Sequence, residues 1–532
     1  MSFLQLRRSA ALGAVFLLAP LVAQAQEAAA VRLAESGADL RVCAPLNIPV
    51  IAPSPLTAIS LSALSAPAAV AAVPAAPAAP GEALSAPAAD APAASAGSAE
   101  TARPTLGSPT AANSVLAQEP LDELFDGAAA SRGADSRIAL LAHPTESFDA
   151  RAQMLSSARR TIDAGYFHFL PDETGLAKLA LLRAAARRGR RVRLLLDAYG
   201  NHLSKAMLRH LIAEGVDVRI YHPLSFAHLD WLWRRSHDKW TIVDGEEMIV
   251  GDSNMGDQYF GRGKAPWRSR EAYVAGAAVR RGRAYVDEIW SGREASAPRG
   301  LNKVSAAEIA DAARRIDAYE RPDASAAARP WAERAHAADV RFVSNGLRRP
   351  HVRGGIGKDL LEMIRSAKRM IVIENAYVSL PKVFRDELAR AIRERGVRVV
   401  VITNSRTSNN QSLLGYEYEF GLPDLVRIGA EVYEFDGPGT LHAKGVVVDG
   451  RRAYIGSFNM NPLSFLFNTE TGVIADDHAA FARDLLGRME QTRRMSTPIA
   501  AGGVWLTTRA ERGRMRLLFA PVALLKRLLL GV

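Results

Sequence analysis

Between residues 120 and 500, short runs of β-branched and aliphatic residues alternate with longer segments whose apolar positions recur every three to four residues. Read by period and length, the first stretch predicts a strand at 161–167, a helix at 175–188 and a strand at 192–196. The order then recurs as a helix at 358–367, a strand at 370–373, a helix at 384–395 and a strand at 397–402. Strands alternating with helices place the chain in the α/β class. The recurrence makes it two similar halves, 120–300 and 336–500, separated by an Ala-rich, charged connector at 301–335.

Each half runs into an apolar hairpin. Lys239-Trp240-Thr241-Ile242-Val243 turns at Asp244-Gly245 and returns as Met248-Ile249-Val250. Lys444-Gly445-Val446-Val447-Val448 turns at Asp449-Gly450 and returns as Ala453-Tyr454-Ile455. Asp-Gly between such runs is a strong hairpin signal. Successive strand residues face opposite sides, so His237 shares a face with Lys239, and His442 with Lys444. The repeated pattern is thus His237-x-Lys239-x4-Asp244 and His442-x-Lys444-x4-Asp449, followed by Gly251-Asp252-Ser253-Asn254 and Gly456-Ser457-Phe458-Asn459.

Two imidazoles and two ammonium groups around one space suit a phosphodiester. The lysines neutralise the non-bridging oxygens, one histidine attacks phosphorus, and the other protonates the departing alkoxide. Ser253, Asn254, Ser457 and Asn459 are expected to bind or support the phosphate. Glu271 and Glu470, which trail the two hairpins, are expected to hold the far nitrogens of the histidines; the residues do not decide which serves which. Asp244 and Asp449 read as turn scaffolding. The chemistry calls for no metal and no cofactor.

These motifs resemble the phospholipase D superfamily and, more finely, bacterial cardiolipin synthases of the C-type branch. The likeness extends through Gly251-Asp252-Ser253-Asn254-Met255-Gly256, Ile402-Thr403-Asn404-Ser405 and Asn468-Thr469-Glu470. It implies two α/β/α sandwich domains related by a pseudo-twofold axis, with the active site at their interface. It also implies a phosphohistidine intermediate on His237, with His442 as acid and then base. The chain departs from the family pattern at three positions. Glu271 stands where relatives usually carry Asp, Leu463 where Arg is common, and Asp252 in place of a small residue, an acid that would be unhelpful near the phosphate unless it points away.

The formal net charge of +11 favours anionic partners. Residues 1–25 read as a secretory signal, with Arg7-Arg8, an apolar core and a small-residue cleavage site at Ala23-Gln24-Ala25. Residues 26–119, rich in Ala and Pro, read as a disordered tether. Cys43 is the sole cysteine, which leaves an exported chain no internal disulfide. The tail at 501–532 is apolar and basic, and suits either the membrane interface or a helix docked on the catalytic body. Trp231 and Trp233 suit core packing or a lipid-facing role. The resulting expectation is an exported, membrane-associated phosphatidyltransferase acting on an anionic phospholipid. Hydrolysis is the alternative outcome, a nuclease the disfavoured one, and the oligomeric state stays open.

Overall fold

A computed structural model describes residues 135–499, apart from 142, 224–230, 232–233, 264, 321–323 and 348–354, and without the side chains of 412–417 and 420. The expected leader, tether and tail, together with Cys43 and Trp233, lie outside the described residues. The strands of the first half are β1 (Ser136–Leu141), β2 (Thr161–Tyr166), β3 (Arg191–Asp197), β4 (Val216–Tyr221), β5 (Lys239–Val243), β6 (Glu247–Gly251), β7 (Glu271–Gly276) and β8 (Ala295–Ser296). Those of the second are β9 (His336–Ser344), β10 (Met370–Asn375), β11 (Arg398–Asn404), β12 (Glu431–Phe435), β13 (Lys444–Val448), β14 (Arg452–Gly456), β15 (Thr471–Asp476) and β16 (Ser496–Ile499).

All belong to one mixed sheet. Outward from its centre the first half runs β1-β7-β6-β5-β2-β3-β4-β8, and the second β9-β15-β14-β13-β10-β11-β12-β16. The two orders are the same, strand for strand. The halves join where β1 and β9 pair antiparallel, Ser136 opposite Ala338 and Ile138 opposite His336. Within each half β2-β3-β4 and β10-β11-β12 are parallel, while the first hairpin strand, β5 or β13, and the edge strand, β8 or β16, run antiparallel to them.

Helices cover both faces. On one face α1 (Pro144–Ser157), α2 (Glu173–Arg187) and α3 (Lys205–Ala213) pack Phe148, Leu155, Leu179 and Leu211 onto Ile162 and Leu194. Asp172 caps α2 by accepting from Gly175 N at 3.0 Å, which starts the helix ahead of the residue 175 read from the sequence. On the other face lies α4 (Ala277–Ser291). The connector holds α5 (Ala306–Asp317), with a reciprocal Ser305–Glu308 capping box, and α6 (Pro330–Glu333).

The second half repeats the arrangement. Helices α7 (Ile356–Ser366), α8 (Lys382–Arg395) and α9 (Ser412–Arg427) cover Ile371 and Val399 with Leu360, Phe384 and Leu422. A short α10 (Pro462–Leu466) precedes β15, and α11 (Ala479–Arg494) lies on the same face as α4. Under α4 and α11 one core runs through both halves, from Trp240, Val274 and Ile289 to Val372, Val447 and Phe481. Burial of these side chains ties the two halves together. No described helix is long and apolar enough to cross a membrane.

Candidate active site

The hairpin turns place the motifs. Val243 O accepts from Glu246 N at 3.0 Å with Asp244 and Gly245 at φ 55° and 69°, and Val448 O accepts from Arg451 N at 3.1 Å with Asp449 and Gly450 at 52° and 64°. Positive φ at both central residues matches the twist of the strands, and Asp followed by Gly meets that demand at small cost. The Asp244 carboxylate accepts from the main-chain nitrogens of Arg159, Arg160 and Thr161 at 2.9, 2.7 and 2.8 Å. Asp449 does the same for Lys368, Arg369 and Met370 at 2.8, 2.8 and 2.9 Å. Each aspartate pins its hairpin tip to the start of the neighbouring parallel strand, remote from the histidines.

At the other end of the hairpins the halves interlock. His237 N donates to Thr469 O at 3.0 Å and Thr469 N to Arg235 O at 2.9 Å; His442 N donates to Arg268 O at 2.8 Å and Arg268 N to Thr440 O at 2.9 Å. Each motif histidine is fastened to the segment trailing the hairpin of the opposite half. Both imidazoles and both lysines are buried there, and each histidine feels both ammonium groups. Lys239 Nζ donates to His237 O at 2.5 Å and Lys444 Nζ to His442 O.

The carboxylates divide otherwise than the sequence suggested. Glu470 lies 2.9 Å from His237 Nδ1 through Oε2, and it accepts from Ser457 Oγ and Ser464 Oγ at 2.5 Å each. Glu271, expected to serve the other imidazole, instead accepts from Arg151 Nη1 at 2.7 Å, Arg151 Nη2 at 2.5 Å and Ser147 Oγ. The register explains this. Glu271 sits opposite Gly251, as Gly472 sits opposite Gly456, so it lies two residues, roughly 6.6 Å, beyond the position Glu470 occupies. The acid facing His442 is Asp252, whose Oδ1 is 3.5 Å from His442 Nδ1. Asp252 therefore faces the imidazole rather than away from the site.

Two of the other residues expected at the phosphate, Ser457 and Asn254, are engaged elsewhere. Ser457 gives its hydrogen to Glu470 and accepts from Thr471 N at 3.0 Å, so it supports the carboxylate. Asn254 Oδ1 accepts from His168 N and its Nδ2 donates to Tyr259 OH, both at 3.0 Å. Ser253 is buried in the same turn. Asn459 is buried with Oδ1 lacking a hydrogen-bond partner among the described residues. Gly251 and Gly456 have no room for a side chain: a Cβ would fall 2.5 Å from Arg270 O in one half and 2.5 Å from Thr471 O in the other.

Burial, followed by the two lysines, holds both motif histidines well below the ordinary imidazole value. Burial lowers Lys239 to about 7, with Lys444 adding to the effect and Glu470 opposing it, and lowers Lys444 to about 8. Burial likewise pushes the carboxyls of Glu470 and Asp252 up to about 7. Groups that titrate this close together share their protons, so the cluster is poised near neutrality as a unit.

Several neighbours were missed in the sequence. Phe167 lies 5.2 Å from the His237 ring, and Tyr259 and Trp267 lie 5.1 and 5.4 Å from that of His442. His168 stacks on His202 at 5.6 Å and is pushed down to about 3, chiefly by burial and then by Lys239. Asp238, within the first motif, accepts from Ser236 Oγ, Tyr285 OH and Thr469 Oγ1, and burial raises it to about 6. The available signal was position: residues 167 and 168 follow the C-terminal end of β2, where α/β sheets gather their ligands.

The family described as "Cardiolipin synthase, PLD-like domain" matches residues 152–265 and 360–492, one segment in each half. Cardiolipin synthase C of Escherichia coli (strain K12) is 29% identical over 378 residues, covering 62% of this chain and 79% of that protein. A cardiolipin synthase of Geobacillus kaustophilus (strain HTA426) is 28% identical over 365 residues, covering 66% of each. Among solved structures, phosphatidylserine synthase of Haemophilus influenzae Rd KW20 superposes with a TM-score of 0.55 at 18% identity, covering 78% of this chain and 98% of the other. That last likeness is one of fold.

Proposed function

We propose that this chain, which belongs to the phospholipase D superfamily, is a phosphatidyltransferase of the cardiolipin synthase type. It takes a phosphatidyl group from a phospholipid and delivers it to a glycerol hydroxyl of phosphatidylglycerol. One observation carries the reading: the two motif histidines, each fastened to the opposite half, share one buried cluster with both lysines. The basic chain, with its expected leader and tail, suits an anionic membrane surface in the cell envelope.

The geometry supports the following steps. With Nδ1 held by Glu470, His237 offers the lone pair of Nε2. Formation of the N–P bond breaks the P–O bond to the leaving alcohol, whose oxygen takes a proton from His442. Burial, followed by the charges of Lys444 and Lys239, keeps His442 neutral; an anionic phosphate beside the two lysines offsets their share and so favours the protonated ring that serves as the acid. In the second step the acceptor hydroxyl gives its proton to His442 and bonds to phosphorus as the P–N bond breaks. His237 is returned neutral. The lysines stabilise the charge that gathers on the non-bridging oxygens.

The test incubates the full chain with phosphatidylglycerol vesicles, with mixed phosphatidylethanolamine and phosphatidylglycerol vesicles, and with DNA, and identifies products by mass. Transfer yields a diphosphatidylglycerol and a released headgroup alcohol. Phosphatidic acid as the sole lipid product would replace transfer by hydrolysis, and DNA cleavage without lipid turnover would overturn the lipid reading altogether.

A further inference from the structure

The two halves present the same backbone to their histidines but different side chains. Ser457 N donates to Thr471 O at 2.8 Å, and Asp252 N to Arg270 O at 3.4 Å. In return Thr471 N donates to Ser457 Oγ at 3.0 Å, and Arg270 N to Asp252 Oδ2 at 2.9 Å. These paired bonds fix the equivalence: Asp252 stands where Ser457 stands, and Ser269 where Glu470 stands. Hydroxyl and carboxylate have changed places between the halves.

On the His237 side the carboxylate comes from the later position and the hydroxyl from the earlier. Around His442 the order is reversed. Asp252 Oδ1, Ser269 Oγ and His442 Nδ1 are each buried without a hydrogen-bond partner among the described residues, and only 3.5 Å separates the acid from the imidazole. The Ser269 hydroxyl lies close enough to ease the burial of the Asp252 carboxylate. Glu271 does not take this role, since Arg151 and Ser147 hold its carboxylate two residues beyond Ser269 along the chain.

We infer that Asp252 is the positioning carboxylate of His442 and Ser269 its hydroxyl partner, a pair transposed relative to Ser457 and Glu470. The pair is co-dependent. One acid at either position fixes the imidazole tautomer, two would crowd like charges into a buried site, and none leaves the ring unheld. The assignment of His442 as acid and base rests on the function proposed above, whereas the pairing itself rests on geometry.

The test uses the full chain labelled with ¹⁵N-histidine, with the His442 resonances identified by their loss in H442Q. In the native protein the neutral His442 ring should carry its proton on Nδ1. In D252N its titration should fall to lower pH, and in D252S the tautomer preference should weaken. The exchange variant D252S/S269E, which recreates the arrangement found around His237, should restore both. In parallel, on phosphatidylglycerol vesicles, D252N should lower kcat by about 10²-fold or more with little change in KM, S269E alone should also lower it, and D252S/S269E should regain most of the loss. An unchanged His442 titration in D252N with an unchanged melting temperature would overturn the pairing. So would a folded D252S/S269E whose His442 behaves as in D252S. If the native protein leaves the vesicles untouched, the lipid reading fails while the resonances still decide the pairing.

Discussion

His237 and His442 occupy equivalent places in a duplicated frame, yet one is held tightly and the other loosely. Glu470 meets His237 Nδ1 at 2.9 Å and is itself gripped by Ser457 and Ser464. Asp252 stands 3.5 Å from His442 Nδ1, with Oδ1 lacking a bond among the described residues. The strand order and the aspartates at the turn tips are the same in both halves, whereas the groups that set imidazole tautomer and charge differ. A nucleophile gains from a fixed neutral ring with one lone pair aimed outward. An acid that must lose and regain a proton in every cycle gains from a partner it can engage as its charge changes.

The largest effects should come from the imidazoles themselves. H237A and H442A should each lose activity by at least about 10⁴-fold on a natural phospholipid, since the two act as a unit. A phosphatidyl ester of p-nitrophenol separates them, because such a leaving group departs without an acid. H442A should then still release nitrophenol in a single burst and hold the phosphatidyl group, whereas H237A should release none. A burst from H237A and silence from H442A would exchange the roles of the two halves.

The next effect sets Glu470 against Glu271. E470Q should lower kcat by roughly 10²–10⁴-fold, at a smaller cost in stability than E271Q, as expected when an imidazole loses the acid that fixes its tautomer. E271Q breaks the buried pair with Arg151 and should cost about 3–5 kcal/mol of stability, with kcat preserved in the molecules that remain folded. The reverse pattern would restore Glu271 to the site.

That contrast also marks what could be read in the chain and what could not. The hairpins were legible because Asp-Gly between β-branched runs is a local signal, and the parallel strands because they are continuous apolar runs. The central strands were not: β9, His336–Ser344, carries only a weak alternation, and β1 and β9 gain their place from pairing across the halves. Counting acids beyond each hairpin paired Glu271 with Glu470. The true register depends on Gly251 facing Glu271 and Gly456 facing Gly472, a long-range fact that spacing does not contain. Asp252 was visible, but its role depended on His442 arriving from the other half.

A smaller effect concerns pH. Lys239 at about 7 and Lys444 at about 8 lose their charge far below a free lysine, so kcat/KM should fall as pH rises through 7 to 8. On the acid side, protonation of the Glu470 and Asp252 carboxyls, both raised to about 7, removes the partners of the imidazoles. The profile should be a narrow bell near neutrality, and D252N should alter its acid limb more than its alkaline one. A plateau extending to pH 9.5 would mean that the lysines keep their charge and that the two limbs do not share a cluster.

The smallest effect falls where the halves are alike. D244N and D449N each weaken a carboxylate that accepts three main-chain bonds, and each should cost about 1–3 kcal/mol, read as a lower urea midpoint at unchanged slope. For Asp244 burial pushes the carboxyl up, but the Thr161, Arg159 and Arg160 nitrogens outweigh it and leave the pKa below the ordinary value. Its contribution is therefore fully present above about pH 4 and vanishes as pH falls through the lower folded value. The stability gap between native protein and D244N should close over that window. Costs for D244N and D449N that differ by more than about 1 kcal/mol, beyond the usual error of such comparisons, would show that the divergence between the halves reaches the scaffold as well as the histidines.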